Sequence, residues 1–237
     1  MVPVQLPHGS EAVAAAFYAA GYLAGAAAFL WMARRRGIAT SGITAVMAAG
    51  LVGGLAAANV VQLATGSPGK TVLGAVAGGY LAVWAYKRYL GITRPTGDLF
   101  AVALCVGEGI GRWGCYFGSC CYGKTSSVAW AVWQHGAMRH PTQVYLSLSC
   151  VLILFALWIL AKNKPPENGL FFLQGALYCA ARFFIEFWRE GKSVAAGLTT
   201  AQLACIGGML FFSAILTRLL YQHRVEPAAV KALAAAE

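Results

Sequence analysis

Charge is scarce in this chain. Only 11% of its 237 residues are Asp, Glu, Lys or Arg, whereas soluble domains carry about a quarter. That shortage excludes an ordinary soluble globule. Nucleotide-binding signals are lacking as well. "GKT" at 69–71 has Ala64 where the upstream glycine of a phosphate loop would stand, and "GIGRWG" at 109–114 lies in an apolar helical run with no strand before it. The seven cysteines contain no C-x-x-C pair, so their spacing carries little metal-ligand signal. The first residues lack a basic n-region and the first apolar run is long enough to span, so no cleavable signal peptide is expected.

What is abundant is apolar. Hydrophobic residues make up 59% of the chain, and they fall into seven runs at 11–33, 42–62, 71–91, 98–116, 143–161, 169–188 and 200–221. The expected fold is an all-α integral membrane bundle of about seven transmembrane helices. It forms a single domain over 1–237 with a short cytoplasmic tail over about 223–237. The net charge of +10 does not point to nucleic acid, because the basic residues cluster at run ends. Arg34–Arg36, Lys87, Arg88 and Arg94, Lys162 and Lys164, and Arg218, Arg224 and Lys231 share one side if the chain alternates. The opposite loops hold only Lys70, Lys124, Arg139 and Lys192. The positive-inside rule then puts the N-terminus outside and the C-terminus in the cytoplasm. Gly107, Gly111, Gly74 and Gly78 read as sites of close helix approach.

Three arginines remain inside or at the ends of runs. Glu108 and Arg112 are spaced i, i+4 on one helix face, and Arg182, Glu186 and Arg189 follow at i, i+4 and i+7 on another. Charges at membrane depth face a bundle interior or a wet cavity. The surplus of Arg over Glu favours an anionic ligand such as a phosphate, which a guanidinium binds bidentately. Cys105, Cys150, Cys179 and Cys205 lie in apolar runs and read as buried, inert thiols. Cys115, Cys120 and Cys121 share the glycine-rich stretch "GRWGCYFGSCCYG" (111–123) and need another account.

That stretch, then "RHPTQVY" (139–145), then "RFFIEFWR" (182–189), resembles in order and spacing three signatures of the prolipoprotein diacylglyceryl transferase family. The likeness covers nearly all of the chain after the first run. It implies a multi-pass transferase of the bacterial inner membrane with an outward-facing site. Such an enzyme moves diacylglyceryl from phosphatidylglycerol to the thiol of a lipoprotein precursor or to another small nucleophile, in lipoprotein biosynthesis. The resemblance calls for no cofactor and no metal. It implies that Arg112 and Arg182 hold the lipid phosphate, that Glu186 orients Arg182 or Arg189, and that His140, Gln143 and Tyr145 shape the outward part of the site. Glu108 pairs with Arg112. The chain departs from the family pattern in several places. Leu146 replaces the acid of "HPSQLYE", "KTVLGAV" (70–76) has Leu73 in place of the histidine of "FHGG", and Asn59 is the polar substitute for the arginine of "GGRIGY". In "GRxGNFxNGExxG" the first asparagine has become Cys115 and the acid Cys120.

The fixed charge of Arg112 near three thiols favours thiolate. A covalent reading makes Cys115, Cys120 or Cys121 the catalytic nucleophile at the glyceryl carbon, with His140 or His135 as base. The alternative is a diverged membrane thiol protein. There Cys115 with Cys120 or Cys121 would act in redox, or the three would hold a soft metal together with His140.

Overall fold

The computed structural model describes residues 10–38, 42–65 and 72–234. Among these described residues, seven α-helices follow the apolar runs closely: α1 (Ser10–Arg35), α2 (Ile43–Thr65), α3 (Val72–Tyr89), α4 (Gly97–Phe117), α5 (Thr142–Ala161), α6 (Gly169–Ile185) and α7 (Thr200–Ala234). α7 continues as helix through most of the stretch expected as a tail. Among the described residues, α1, α2, α5, α6 with the turn that follows it, and α7 are long and apolar enough to cross a membrane. α3 is shorter and ends in Lys87–Arg88, and α4 carries Asp98, Glu108 and Arg112. Leu152, Phe155 and Trp158 of α5 and Leu210 and Phe211 of α7 are exposed. Such a surface is stable in lipid, where only the helix backbone must be satisfied internally.

The all-α expectation misses one element. Val132–Gln134 (β1) and Ala137–Arg139 (β2) form an antiparallel hairpin with Val132 opposite Arg139. Its two central turn residues, His135 and Gly136, have φ of 50° and 74°, the double left-handed geometry that a two-residue hairpin requires.

Contacts divide the chain into two compact units, Met1–Ala28 with Thr96–Glu237, and Phe29–Pro95. In the second, α2 packs on α3 through small residues. A Cβ added to Gly78 would lie 2.1 Å from the Ala57 Cβ, and one added to Gly53 would lie 2.9 Å from the Gly78 carbonyl. In the first, α4, α5 and α6 enclose a core of Ala101, Cys105, Ile153, Leu157 and Leu170. Two backbone groups tie the starts of α4 and α6 together: Gly97 N–H donates to Asn168 Oδ1 at 2.8 Å, and Phe171 N–H to Asp98 Oδ1 at 3.1 Å. α1 meets α4 at Gly21, whose added Cβ would fall 2.7 Å from the Gly107 carbonyl and 3.2 Å from the Gly111 nitrogen. The close approach expected of Gly107, Gly111 and Gly78 is therefore present. It brings Tyr18 of α1 to the end of α4, where the three cysteines begin.

Candidate active site

α4 carries the first charged pair. Arg112 Nε donates to Glu108 Oε1 at 3.0 Å, its Nη2 also bonds that oxygen, and Tyr178 of α6 donates its hydroxyl to the same atom. Arg112 Nη2 reaches the Tyr178 hydroxyl at 3.2 Å. Tyr178 is one residue the sequence reading missed, although it stands one turn before Arg182 on α6. The pair is thus a triad joining two helices, and one carboxylate oxygen takes all of these donors.

The second cluster departs from the single helical face expected of it. α6 ends at Ile185, a 3₁₀ turn carries Glu186–Trp188, and Arg189 is extended at φ −87°, ψ 145°. An isolated antiparallel bridge from Arg189 to Gly123 pulls the chain off the helix axis. Arg182 and Arg189 still converge on Glu186, with Nη1 to Oε2 distances of 2.8 and 3.5 Å. Glu186 is buried, and Thr199 donates its hydroxyl to the other carboxylate oxygen at 3.3 Å. Arg182 lies within electrostatic reach of Arg112 and Tyr178. Three guanidiniums therefore share two carboxylates, and the buried Nε of Arg189 has no hydrogen-bond acceptor among the described residues.

Cys115 lies in the last turn of α4, and beyond Phe117 the chain turns sharply, with Ser119 and Cys121 both in the left-handed region at φ 49° and 60°. The turn gathers the sulfurs of Cys115, Cys120 and Cys121 within 4.8 Å of one another. Its backbone is held from α5 and the hairpin. Gln143 Nε2 donates to the Cys120 carbonyl at 2.7 Å, Thr142 Oγ1 to the Cys121 carbonyl at 2.8 Å, and the His135 ring bonds the Ser119 carbonyl at 2.6 Å. Gln143 also donates to Gln134 Oε1. Beyond the cysteines, Gly123 N–H donates to the His140 carbonyl and Lys124 N–H to the Trp188 carbonyl. The cysteine turn is thereby laced between the hairpin and the Arg189 segment. From α1, Tyr18 donates its hydroxyl to Cys115 Sγ at 3.3 Å and lies 3.9 Å from Cys120 Sγ. Hydrogen bonds from the Cys115 and Cys120 thiols, then the charges of Arg189 and Arg112, hold the Cys121 thiol below its usual range. Cys120 is pushed up, first by its hydrogen bonds to Cys115 and Cys121.

The remaining expected residues divide. His140 Nδ1 lies 3.0 Å from the Tyr145 hydroxyl, which also accepts from Trp130 Nε1 at 2.8 Å, and both rings pack with Trp188. His140 thus joins an aromatic group rather than the thiols. Asn59 belongs to the other unit, where its amide donates to the Leu55 carbonyl of its own helix. Lys70 and Thr71 of "KTVLGAV", and the side chain of Leu73, lie outside the described residues. Leu146 is buried. All seven cysteines are free; Cys105, Cys150 and Cys205 are buried as expected, whereas Cys179 is half-buried.

The chain is 33% identical over 169 residues to a phosphatidylglycerol–prolipoprotein diacylglyceryl transferase of Dehalococcoides mccartyi, covering 66% of this chain and 62% of the relative. It is 33% identical over 156 residues to the protein of that name in Gloeobacter violaceus, covering 60% and 58%. It is 34% identical over 130 residues to phosphatidylglycerol–prolipoprotein diacylglyceryl transferase 1 of Streptomyces coelicolor, covering 51% and 38%. The matches thus span about three-fifths or less of these relatives' length. The helices and these bacterial relatives together make it a multi-pass membrane protein. A profile of the prolipoprotein diacylglyceryl transferase family matches residues 12–218, and with that extent of agreement the chain belongs to this family.

Proposed function

We propose that the protein transfers diacylglyceryl from phosphatidylglycerol, or a closely similar anionic phospholipid, to the thiol of a lipoprotein precursor. The observation that carries this reading is the surplus of guanidinium over carboxylate beside a cluster of thiols. Arg112, Arg182 and Arg189 face two carboxylates, and a lipid phosphate supplies the missing negative charge in a form the planar fork accepts. Attack by a thiolate on the glyceryl carbon forms the C–S bond and breaks the C–O bond to phosphorus. The electron pair leaves on the phosphate oxygen as glycerol phosphate. Fixed guanidiniums aimed at that oxygen stabilise the charge where it develops.

Cys115, Cys120 and Cys121 stand on the acceptor side in this scheme. A cysteine of the protein that itself attacked the carbon would keep the lipid as a stable thioether, so the three thiols are assigned to handling the incoming thiol. Gln143 acts by holding the Cys120 carbonyl, and His140 and Tyr145 act by bracing the segment beside Trp188. The whole chain is one membrane domain in the bacterial inner membrane with seven spans, its N-terminus outside and its C-terminus in the cytoplasm. The distribution of basic residues supports an outward-facing site.

The test is transfer by the purified full chain from phosphatidylglycerol to a cysteine-bearing lipoprotein signal peptide, read by peptide mass. A diacylglyceryl gain on the peptide is expected. Arg112→Gln or Arg182→Gln should reduce it by about 10²–10³, the scale of losing one fixed donor at a developing oxyanion. Absence of a gain under conditions where an active relative works overturns the reading.

A further inference from the structure

The three-cysteine turn does more than place thiols near an acceptor. We propose that Cys115, Cys120 and Cys121 bind one zinc-like divalent cation, which takes the acceptor's thiol as its fourth ligand. The fourth-ligand part rests on the transfer reading above; the three-sulfur site does not.

The geometry is that of a ligand set. In a tetrahedral zinc site with Zn–S of about 2.3 Å, sulfurs stand about 3.8 Å apart. Here all three lie within 4.8 Å of one another. Consecutive residues in extended chain point to opposite sides, yet Cys120 and Cys121 contribute sulfurs to one point. They do so because Cys121 adopts φ 60° and Ser119 φ 49°, positions that cost free energy for residues with a Cβ. The surrounding structure holds the strain in place through Gln143 and Thr142, which bond the carbonyls of both cysteines. Tyr18 supplies a donor to a ligand sulfur from a separate helix, the kind of outer contact that orients metal ligands.

Among the described residues the cluster offers three ligands, so its coordination number leaves room for a substrate. Three protein ligands and an open position characterise catalytic zinc sites, whereas structural sites are closed with four. Cys120 is the exposed member of the three. Three thiolates on a divalent cation leave one negative charge, and an added acceptor thiolate leaves two. Arg112, one turn before Cys115, and Arg189, whose backbone bridges Gly123, stand nearby; each is paired with a carboxylate, Glu108 and Glu186, so the arginine cluster offsets one of these charges rather than two.

The chemistry meets a need that the histidines leave open. A free thiol has a pKa of about 8.5 and is mostly protonated at neutral pH. The His135 ring is bonded to the Ser119 carbonyl and His140 Nδ1 to the Tyr145 hydroxyl, so these hydrogen bonds go to groups other than the sulfurs. A thiol that coordinates zinc is deprotonated outright. Its proton passes to solvent as the acceptor binds, the metal-held thiolate attacks the glyceryl carbon, and the C–O electron pair leaves with glycerol phosphate. The metal changes neither oxidation state nor its three protein ligands.

The experiment uses the full chain in detergent, reduced and free of chelator. Zinc content by elemental mass spectrometry should be about one per chain and should be lost on Cys121→Ser. Cobalt(II) loaded in place of zinc on the unmutated protein should give sulfur-to-metal charge transfer and the visible bands of a tetrahedral site. A signal peptide with cysteine should shift those visible bands, and the same peptide with serine should not. Neither measurement needs phospholipid or turnover, so failed transfer with intact cobalt bands would sink the reaction and leave the three-sulfur site. Conversely, transfer by protein with less than a tenth of an equivalent of bound metal would overturn this proposal and leave the reaction. Cobalt bands that ignore the cysteine peptide, or diacylglyceryl found on any of the three cysteines after turnover, would also overturn it.

Discussion

The Tyr18 hydroxyl donates to Cys115 Sγ at 3.3 Å across 97 residues of chain. This bond links α1 to the first residue of the thiol cluster, and α1 approaches closely enough to make it because Gly114 leaves space. A Cβ there would fall 2.8 Å from the Tyr18 ring. Tyr18→Phe keeps the ring and removes the donor. It should leave the fold intact and lower cobalt affinity about tenfold, the lower end for loss of an outer-shell partner. Competition against a chromophoric chelator measures this, and affinity equal to the unmutated protein would remove Tyr18 from the site.

Gly123 is where the cysteine turn, the hairpin and the Arg189 segment meet. An added Cβ would lie 2.4 Å from the His140 carbonyl and 2.8 Å from that of Trp188. Gly123→Ala should cost about 1–3 kcal/mol as overpacking. Amide exchange should rise at Gly123, Lys124 and Glu190, whose N–H groups make the cross-links, with α2 and α3 unchanged. Uniform exchange across the chain would contradict this.

Among the described residues, Glu186 is the carboxylate that pairs with both Arg182 and Arg189. Glu186→Gln leaves two guanidiniums facing one another, so it should lower thermal stability by about 3–5 kcal/mol, as loss of one partner of a buried pair does. Arg189→Gln, which removes the longer of the two ion pairs, should cost much less. Equal melting temperatures for the two variants would show that Glu186 is not the hub.

His140 and Tyr145 share one hydrogen bond. If both brace the loop, His140→Asn and Tyr145→Phe should each lower transfer by about tenfold, the scale of about one hydrogen bond, with the pH profile unmoved. A much larger loss confined to His140→Asn, together with a lost limb of the pH profile, would make His140 a base, whose removal is worth about 10²–10⁴.

The helices were readable because each apolar run is long and bounded by charge, glycine or proline. Local hydropathy alone decides where the backbone must satisfy itself. Glu108–Arg112 and Arg182–Glu186 were readable for the same reason, since spacing on one helix fixes which side chains meet. The three thiols were visible as a group, but their convergence was not. It depends on two left-handed residues and on hydrogen bonds from α5 that no local pattern encodes. Tyr18, Tyr178 and the displacement of Arg189 from its helix face lay further out of reach. Each follows from contact between segments distant in the chain: α1 against α4, α6 against α4, and Arg189 against Gly123. The sequence by itself therefore determined the apolar helices, the family and the charged pairs within single helices. The tertiary structure decided which groups share a site, because close approach at glycines and pairing between loops set distances that periodicity cannot.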